Sequence, residues 1–477
     1  MPTRGQLAVP AKYSIHPSHA APRLRPVGKL GIVDWREDCA GCHNCVKRAC
    51  VYGLYRDEAD TLRSEIGYLD YIYQCKGCLN CIQNCTKNIL TRVVNPEFRR
   101  LGDDYFTPEM ILATWFQAET GHIPVSGSGY GGPFSGPGFD SMWTDMSEIV
   151  RPTRDGIHGR EYISASVDIG RKLPYLALRE GQLGAQPPPL VENPLPVIFD
   201  CIPPHWARGP VTAAVARAAA KIGTRAVIRQ AHIAAGSAVD RHIIPLVDDA
   251  AAAGSFASVP LVMVHDCEDI AAVQAALKGQ NAGRIVAIRM QARPASAERV
   301  RRLVQQGAEV IHLVFDAHGK ESAAARPRHA RDVLREIHRA LVQDGTRDEV
   351  TLVASGGIAL AEHMAKAIIC GADLVAIDVP LLIALECRLC GECRRGEPCP
   401  IDLEHIPADY AVQRIVNLIS AWHQQLIEVL GAMGIREVRR LRGEAGRAMF
   451  FEDLERDSFG RLFGKRINHN GDQVQSV

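Results

Sequence analysis

No run of about 18 apolar residues interrupts this chain, so nothing in it reads as a membrane-spanning helix. It has no excess of charge either: 55 Lys and Arg face 54 Asp and Glu, a net charge of +1 over 477 residues. That balance withholds the basic footprint of a nucleic-acid-binding surface. Residues 1–30 are basic and proline-rich with no apolar core segment, so they do not read as a signal peptide. A dinucleotide fingerprint is missing too. Gly127-Ser-Gly129-Tyr-Gly131-Gly132 has the letters of G-x-G-x-x-G, but Pro133 follows at once and no strand–loop–helix context surrounds it. It reads as a loop, and the chain is not expected to bind NAD(P)H itself.

What the chain does have is cysteine, 15 of them, with 12 in three tight groups and only Cys201, Cys267 and Cys370 standing apart. Repeated pairs two residues apart are placed to surround a metal, and a reducing compartment keeps them as thiols, so the expected location is the cytoplasm. Cys39-x2-Cys42-x2-Cys45 followed by Cys50, and Cys75-x2-Cys78-x2-Cys81 followed by Cys85, form the tandem of a two-cluster ferredoxin. In that arrangement each triplet serves one [4Fe–4S] cubane and the fourth thiolate crosses over from the other motif. The crossing predicts Cys39, Cys42, Cys45 and Cys85 on one cluster, and Cys75, Cys78, Cys81 and Cys50 on the other. The competing reading is a pair of zinc knuckles; the triplet, occurring twice, favours clusters. The third group, Cys387-x2-Cys390-x2-Cys393-x5-Cys399, suits a third iron–sulfur cluster, [4Fe–4S] with four thiolates or [3Fe–4S] if one stays free, with structural zinc as the alternative.

The remainder is read as an α/β fold. Residues 1–30 are an extended arm, 31–95 a ferredoxin-like domain, 96–190 a connector with a Gly/Pro-rich loop, 191–386 a TIM-like (β/α) barrel, and 387–477 the third cysteine group with C-terminal helices. The barrel rests on alternation. Short β-branched runs at 197–202, 225–230, 260–265, 284–289, 310–315, 350–355 and 374–378 are separated by helical patterns such as Val211–Ile222, Ala295–Gln306 and Arg328–Gln343. That makes seven strands, and Tyr162–Ile169 is the candidate eighth. Helices are also expected over Thr107–Glu119, from Ala361 to Cys370, and over Asp409–Leu430. Ser355-Gly356-Gly357-Ile358 ends the strand before last, and Asp378-Val379-Pro380 ends the last. In such barrels the loops after strands seven and eight bind phosphate through backbone N–H groups, and glycines permit close approach. A tight turn is the plainer use of the two glycines. Iron–sulfur clusters pass single electrons, and a flavin is the group that gathers two. Charged residues at strand ends, Arg229, His265, Arg289, Asp316, His318 and Lys320, are the candidates for chemistry. Arg289 ends the fourth run, where a cation stabilises the anionic edge of a reduced flavin.

KLGIVDW with its two cysteine motifs, PVSGSGYGGPFSGPGFDSMWTDMSEIVRPTRDGIHGREYISASVDIGRK, ASGGI…KAIICGADLVAID, LLIALECRLCGEC…PCP and LIEVLGAMGIREVRRLRG together resemble the archaeal-type glutamate synthase subunit with a fused ferredoxin domain. The resemblance runs from about residue 29 to 464. It implies FMN in a TIM-like barrel, reductive amination of 2-oxoglutarate, and electrons arriving through iron–sulfur clusters. It places Ser355, Gly356, Gly357, Asp378 and Val379 on the FMN phosphate loops, and Arg289 where family members set a Lys against the flavin. Arg289, Lys320 and Arg229 become candidate holders of substrate carboxylates and His318 a candidate proton donor. Pro2 follows Met1, so no cysteine nucleophile is expected there, and ammonia is expected from a separate glutaminase subunit. Electrons are expected from ferredoxin or an NAD(P)H-flavin subunit, in an oligomer. Two loops depart from the family: Arg229-Gln-Ala-His232-Ile-Ala-Ala-Gly-Ser237 replaces a GEGG-like loop, and Asp316-Ala-His318-Gly319-Lys320-Glu321 replaces GGTGA. Electron transfer in another redox complex, or N-methylglutamate-type chemistry, are the rival activities.

Overall fold

Eight short parallel strands close into a barrel in the computed structural model of this chain. The structure describes residues 13–24, 27–28, 30–35, 42, 48, 79–88, 90–123, 136–144, 163–175, 178–179, 182–183, 187–207, 209–233, 241–249, 251–256 and 258–460. The barrel strands are β1 (Val197–Phe199), β2 (Ala226–Arg229), β3 (Ile243–Val247), β4 (Leu261–His265), β5 (Ile285–Gln291), β6 (Val310–Val314), β7 (Thr351–Ser355) and β8 (Leu374–Ile377). Each pairs in parallel with the next, and β8 pairs with β1 to close the ring. Runs such as LVMV and TLVAS are buried on both faces, which is why they are continuously apolar rather than alternating.

The expected seven runs are all barrel strands. The eighth is not Tyr162–Ile169. Val167–Gly170 does form a strand, but it pairs antiparallel with Leu190–Asn193. Gly170 N donates to Thr351 Oγ1, which puts this hairpin across the N-terminal end of β7. The missing strand is β3, whose Pro245 argues against a strand interior because it lacks a ladder donor. Arg289 therefore belongs to the fifth strand, not the fourth.

Helices lie close to where the periodicity put them. α1 (Pro108–Thr120) starts on Thr107, whose side chain accepts from Met110 N, and has Pro108 in its first turn. α2 (Pro210–Ile222), α3 (Ile270–Gln280), α4 (Ser296–Gln305), α5 (Ala330–Gln343) and α6 (Ala361–Ile369) surround the sheet. The apolar stripe of α5, Val333, Leu334, Ile337 and Leu341, is buried, as its spacing requires. The short α7 (Val379–Ala384) follows β8, then the third cysteine group, then the long α8 (Ala408–Ala432). α8 packs against α2 and α6, the helices that follow strands one and seven, so it takes the place of the eighth barrel helix. Its Asn417 ties down the extended arm through Ser18, and Arg23 of the arm pairs with Glu386. No helix among the described residues is long and apolar enough to cross a membrane.

At the other end of the chain, Leu30–Trp35 pairs antiparallel with Leu90–Val94, bringing together the two ends of the segment expected to be ferredoxin-like. A second apolar cluster then joins Phe98, Phe106 and Ile111 to Ala359, Leu360 and Val379 at the C-terminal ends of β7 and β8.

Candidate functional site

The barrel interior ends in a buried polar network. Asp200, just beyond β1, takes both Nη atoms of Arg289 in β5 at 2.5 and 3.0 Å. Strands one and five face each other across a ring of eight, so the pair spans the barrel. Arg289 Nη1 also donates to His312 Nδ1 at 3.1 Å, which leaves the ring proton on Nε2, 2.9 Å from Ser355 Oγ. All four side chains are buried. Burial works against the Asp200 charge, but the Arg289 guanidinium outweighs it and takes the carboxyl down to about 2. Burial and Arg289 hold His312 down at about 3, so it is neutral and acts as a hydrogen-bonding relay rather than as half of an ion pair. Asp378, at the tip of β8, is pushed up to about 6 by burial and by Asp200. Cys201 is likewise pushed up to about 12 by burial, so it sits as a thiol.

A second cluster covers the tips of β6 and β7. Asp316 Oδ1 accepts from the N–H groups of His318 and Lys320 and folds that loop into a tight turn. The His318 ring stacks on Tyr105 with centroids 5.4 Å apart, and its Nε2 meets Asp103 at 2.9 Å. Lys320 is exposed. The Tyr105 hydroxyl donates to Gly357 O at 2.7 Å and lies 3.1 Å from His329 Nε2. His329 Nδ1 accepts from Arg331 N, so Nε2 carries the proton and donates to Tyr105. Burial pushes His329 down to about 3, consistent with that neutral form.

The strand-seven turn and the strand-eight tip differ as a phosphate cradle. Gly356 and Gly357 have φ of +93° and +72°, so both need glycine. A Cβ on Gly356 would come within 2.3 Å of Asp316 O, and one on Gly357 within 2.6 Å of Gly319 Cα. The turn is thus pressed against the Asp316–Lys320 loop, and Gly357 N already donates to Ala317 O at 3.2 Å. The fit there is close backbone approach with the Gly356 N–H and the Ser355 hydroxyl nearby. At the strand-eight tip, Val379 N is taken by Asp378 Oδ1 at 2.7 Å. A carboxyl at this point fits a dianionic phosphate only in its protonated form.

Cys39, Cys45, Cys50, Cys75 and Cys78 lie outside the described residues. Cys42 does not: its Sγ lies 3.8 Å from Thr86 Oγ1, beside Cys85, and Cys81 lies within a short helix, Asn80–Gln83, just upstream. In the third group Cys387, Cys390, Cys393 and Cys399 are all half-buried on one loop between α7 and α8. Leu389, between two of them, packs on the Phe98–Val379 cluster, and Gly102 N donates to Arg388 O. Elsewhere Asp140, Glu362 and His363 bring ligand-type atoms within 4.8 Å of one another. They satisfy each other: His363 accepts from Ala359 N and donates to Asp140, while Lys366 lies 3.7 Å from Glu362.

The structure therefore keeps Arg289 apart from His318 and Lys320, the first inside the barrel and the others on its rim. Sequence reading missed Asp200, His312, Tyr105 and His329. A polar residue inside an otherwise apolar strand, His312 in VIHLVF, is the signal that could have found one of them.

Residues 257–436 match the family model described as a conserved region in glutamate synthase. An archaeal-type glutamate synthase (NADPH) of Dehalococcoides mccartyi is 25% identical over 486 residues, covering 86% of this chain and 93% of that protein. An archaeal glutamate synthase (NADPH) of Methanocaldococcus jannaschii is 33% identical over 150 residues, 28% of this chain and 29% of that one. A solved flavocytochrome b2 mutant with pyruvate bound matches over 71% of this chain and 84% of that one, at 13% identity and a TM-score of 0.43. The resemblance read from the sequence is borne out: the chain is similar to archaeal-type glutamate synthases over most of its length.

Proposed function

From that similarity as premise, we propose that this chain is an iron–sulfur flavoprotein oxidoreductase that forms glutamate by reductive amination of 2-oxoglutarate. FMN sits at the C-terminal face of the barrel, with Ser355, Gly356 and Gly357 on its phosphate side and Asp378 and Val379 at the neighbouring tip. When bound it supplies the exchange between one-electron and two-electron transfer. The chain's own residues bind and orient. Arg229 and Lys320 hold substrate carboxylates through charge-assisted hydrogen bonds. His318, braced by Asp103, presents a proton to the developing amine. Arg289 has five N–H groups, of which Asp200 and His312 engage three, leaving two for the flavin edge or substrate. All twelve grouped cysteines serve this reading as cluster ligands, eight in the tandem motifs and four in the third group. Ammonia comes from a separate glutaminase subunit and electrons from ferredoxin or an NAD(P)H-flavin subunit, in a cytoplasmic oligomer.

The extent of the similarity carries this reading, because it spans 93% of a glutamate synthase rather than one motif. Titrating 2-oxoglutarate with ammonium into the oxidised protein should perturb the flavin spectrum at millimolar ligand. Silence in that titration favours the second reading, an electron-transfer subunit of another redox complex or an N-methylglutamate-type synthase. One observation speaks for it: Arg289, the expected cation, is neutralised by a bidentate carboxylate inside the barrel.

A further inference from the structure

The ion pair that crosses the barrel is fixed from its carboxylate side. Asp200 N donates to Ile377 O at 2.8 Å, which ties the residue into the seam where β8 meets β1. Its Oδ1 accepts from Cys201 N at 2.7 Å as well as from Arg289, so the backbone orients the carboxylate that receives the guanidinium. Both residues are buried, Asp200 at 3% and Arg289 at 9% exposure. A buried ion pair contributes little net stability over apolar side chains of the same volume. What it changes here is direction and charge.

Direction follows from which nitrogens are used. Asp200 takes the guanidinium end-on, through Nη1 and Nη2, and His312 Nδ1 takes the second Nη1 proton. The two N–H groups left over, on Nε and Nη2, lie side by side along one edge of the planar group. That edge is a fork matched to two acceptors in one plane, such as the oxygens of a carboxylate. Charge follows from the partner. Asp200 cancels Arg289, and His312, whose ring bridges Arg289 and Ser355 as a neutral group, adds nothing. The fork therefore presents hydrogen-bond donors with no net charge behind them.

We propose that Asp200 is a positioning residue for the flavin chemistry: it holds Arg289 so that one edge stays free for the ligand, and it cancels the charge behind that edge. This rests on the reading of the chain as an FMN oxidoreductase, and not on which substrate it reduces. The test is a charge cycle on the full-length, FMN-loaded protein, read as the two-electron reduction potential of the flavin at one pH. Asp200→Asn keeps an acceptor for Arg289 and uncovers its charge. A whole charge at ~10 Å, through an effective dielectric of ~20, changes an equilibrium by at least about tenfold. Reduced FMN should then be held about tenfold more tightly relative to oxidised FMN, a potential about 30 mV higher. Arg289→Gln uncovers Asp200 and should lower the potential by a similar amount. The double variant should return to the wild-type value. Arg229, His265 and Asp378 lie near the pair and are common to all four proteins, so the differences isolate the pair. A merely structural pair would shift both single variants the same way, or change FMN retention and leave the potential alone; either result overturns the proposal. If one single variant does not fold, the sign in the other and its reversal in the double variant decide. Protein that takes up no FMN overturns the flavoprotein reading and this inference with it. A silent 2-oxoglutarate titration of FMN-loaded protein overturns the glutamate reading and leaves the charge cycle as it is.

Discussion

Asp378→Asn isolates one charge at the strand-eight tip whose cost can be worked from the structure. The Asp378 carboxyl is half-buried, is pushed up to about 6 from 3.8, and owes that to desolvation first and to Asp200 second. The sign is unusual for a carboxylate. Between about pH 4 and 6 the folded state holds a proton that the unfolded chain has released, so stability falls as pH rises through that window and stays low above it. At 1.36 kcal/mol per pH unit the penalty at pH 7.5 is about 3 kcal/mol. Asparagine is the same size, is never charged, and its Oδ1 can still accept from Val379 N. The variant should therefore be more stable than wild type by about 1–3 kcal/mol at pH 7.5, the lower figure allowing for burial of the new amide. At pH 4 the two should differ little. Urea midpoints followed by fluorescence of the buried Trp422 give the difference at each pH, and comparing variant with wild type cancels the other carboxylates. An equal difference at both pH values, or a variant less stable at pH 7.5, would refute the reasoning. The same substitution should raise FMN retention at pH 7.5 if the flavin phosphate approaches the strand-eight tip.

Replacing Cys85 by Ser should disturb the cluster served by Cys39, Cys42 and Cys45, because Cys42 lies beside Thr86; spectra in which only the Cys75 cluster changes would rule that wiring out. Tyr105→Phe removes the hydroxyl shared by His329 and Gly357, leaving a buried N–H without its acceptor, and should cost about 1–3 kcal/mol in a denaturant titration. No loss would mean that the phenol does not hold the glycine turn. Arg289→Met strands the Asp200 carboxylate and should cost about 3–5 kcal/mol, most of it recovered in the Asp200→Leu/Arg289→Met double variant. Double and single variants equally destabilised would show that the two residues are not coupled.

Most of the barrel was legible because parallel strands buried on both faces advertise themselves as short apolar runs, and helices such as Ala330–Gln343 carry a clear stripe. β3 was not legible because Pro245 violates the rule used to find strands, and because no α-helix separates β2 from β3 among the described residues. The glycine turn was read as a phosphate loop, with a tight turn as the plainer use of the two glycines. Gly356 and Gly357 are needed first to let the Asp316–Lys320 loop approach. The Asp200–Arg289 pair was invisible for a different reason. The residues are 89 apart in sequence, and only closure of the ring brings the first and fifth strands face to face. Arg289 looked like a free cation at a strand end, and its neutralising partner is a consequence of topology alone.

Topology also explains why the third cysteine group and the barrel mouth are neighbours. In a (β/α) barrel every segment joining a strand to its following helix emerges at the C-terminal face, where the chemistry is done. α8 is the helix that completes the eighth unit, because it packs between α2 and α6. Everything between β8 and α8, the short α7 and the four cysteines included, is thus an insertion in the last such loop. It must surface at the mouth, beside Ser355 and Asp378. The N-terminal segment reaches the same place independently. Phe98, Tyr105 and Phe106, just after the Leu90–Val94 strand, pack on Ala359, Leu360 and Val379, with Leu389 of the cysteine loop at the edge of that cluster. Two unrelated stretches of sequence, one before the barrel and one inserted in its last loop, are held against one face by a shared apolar contact. The third cysteine group therefore shares the barrel mouth with the segment at 98–106, and that placement follows from where the loops emerge.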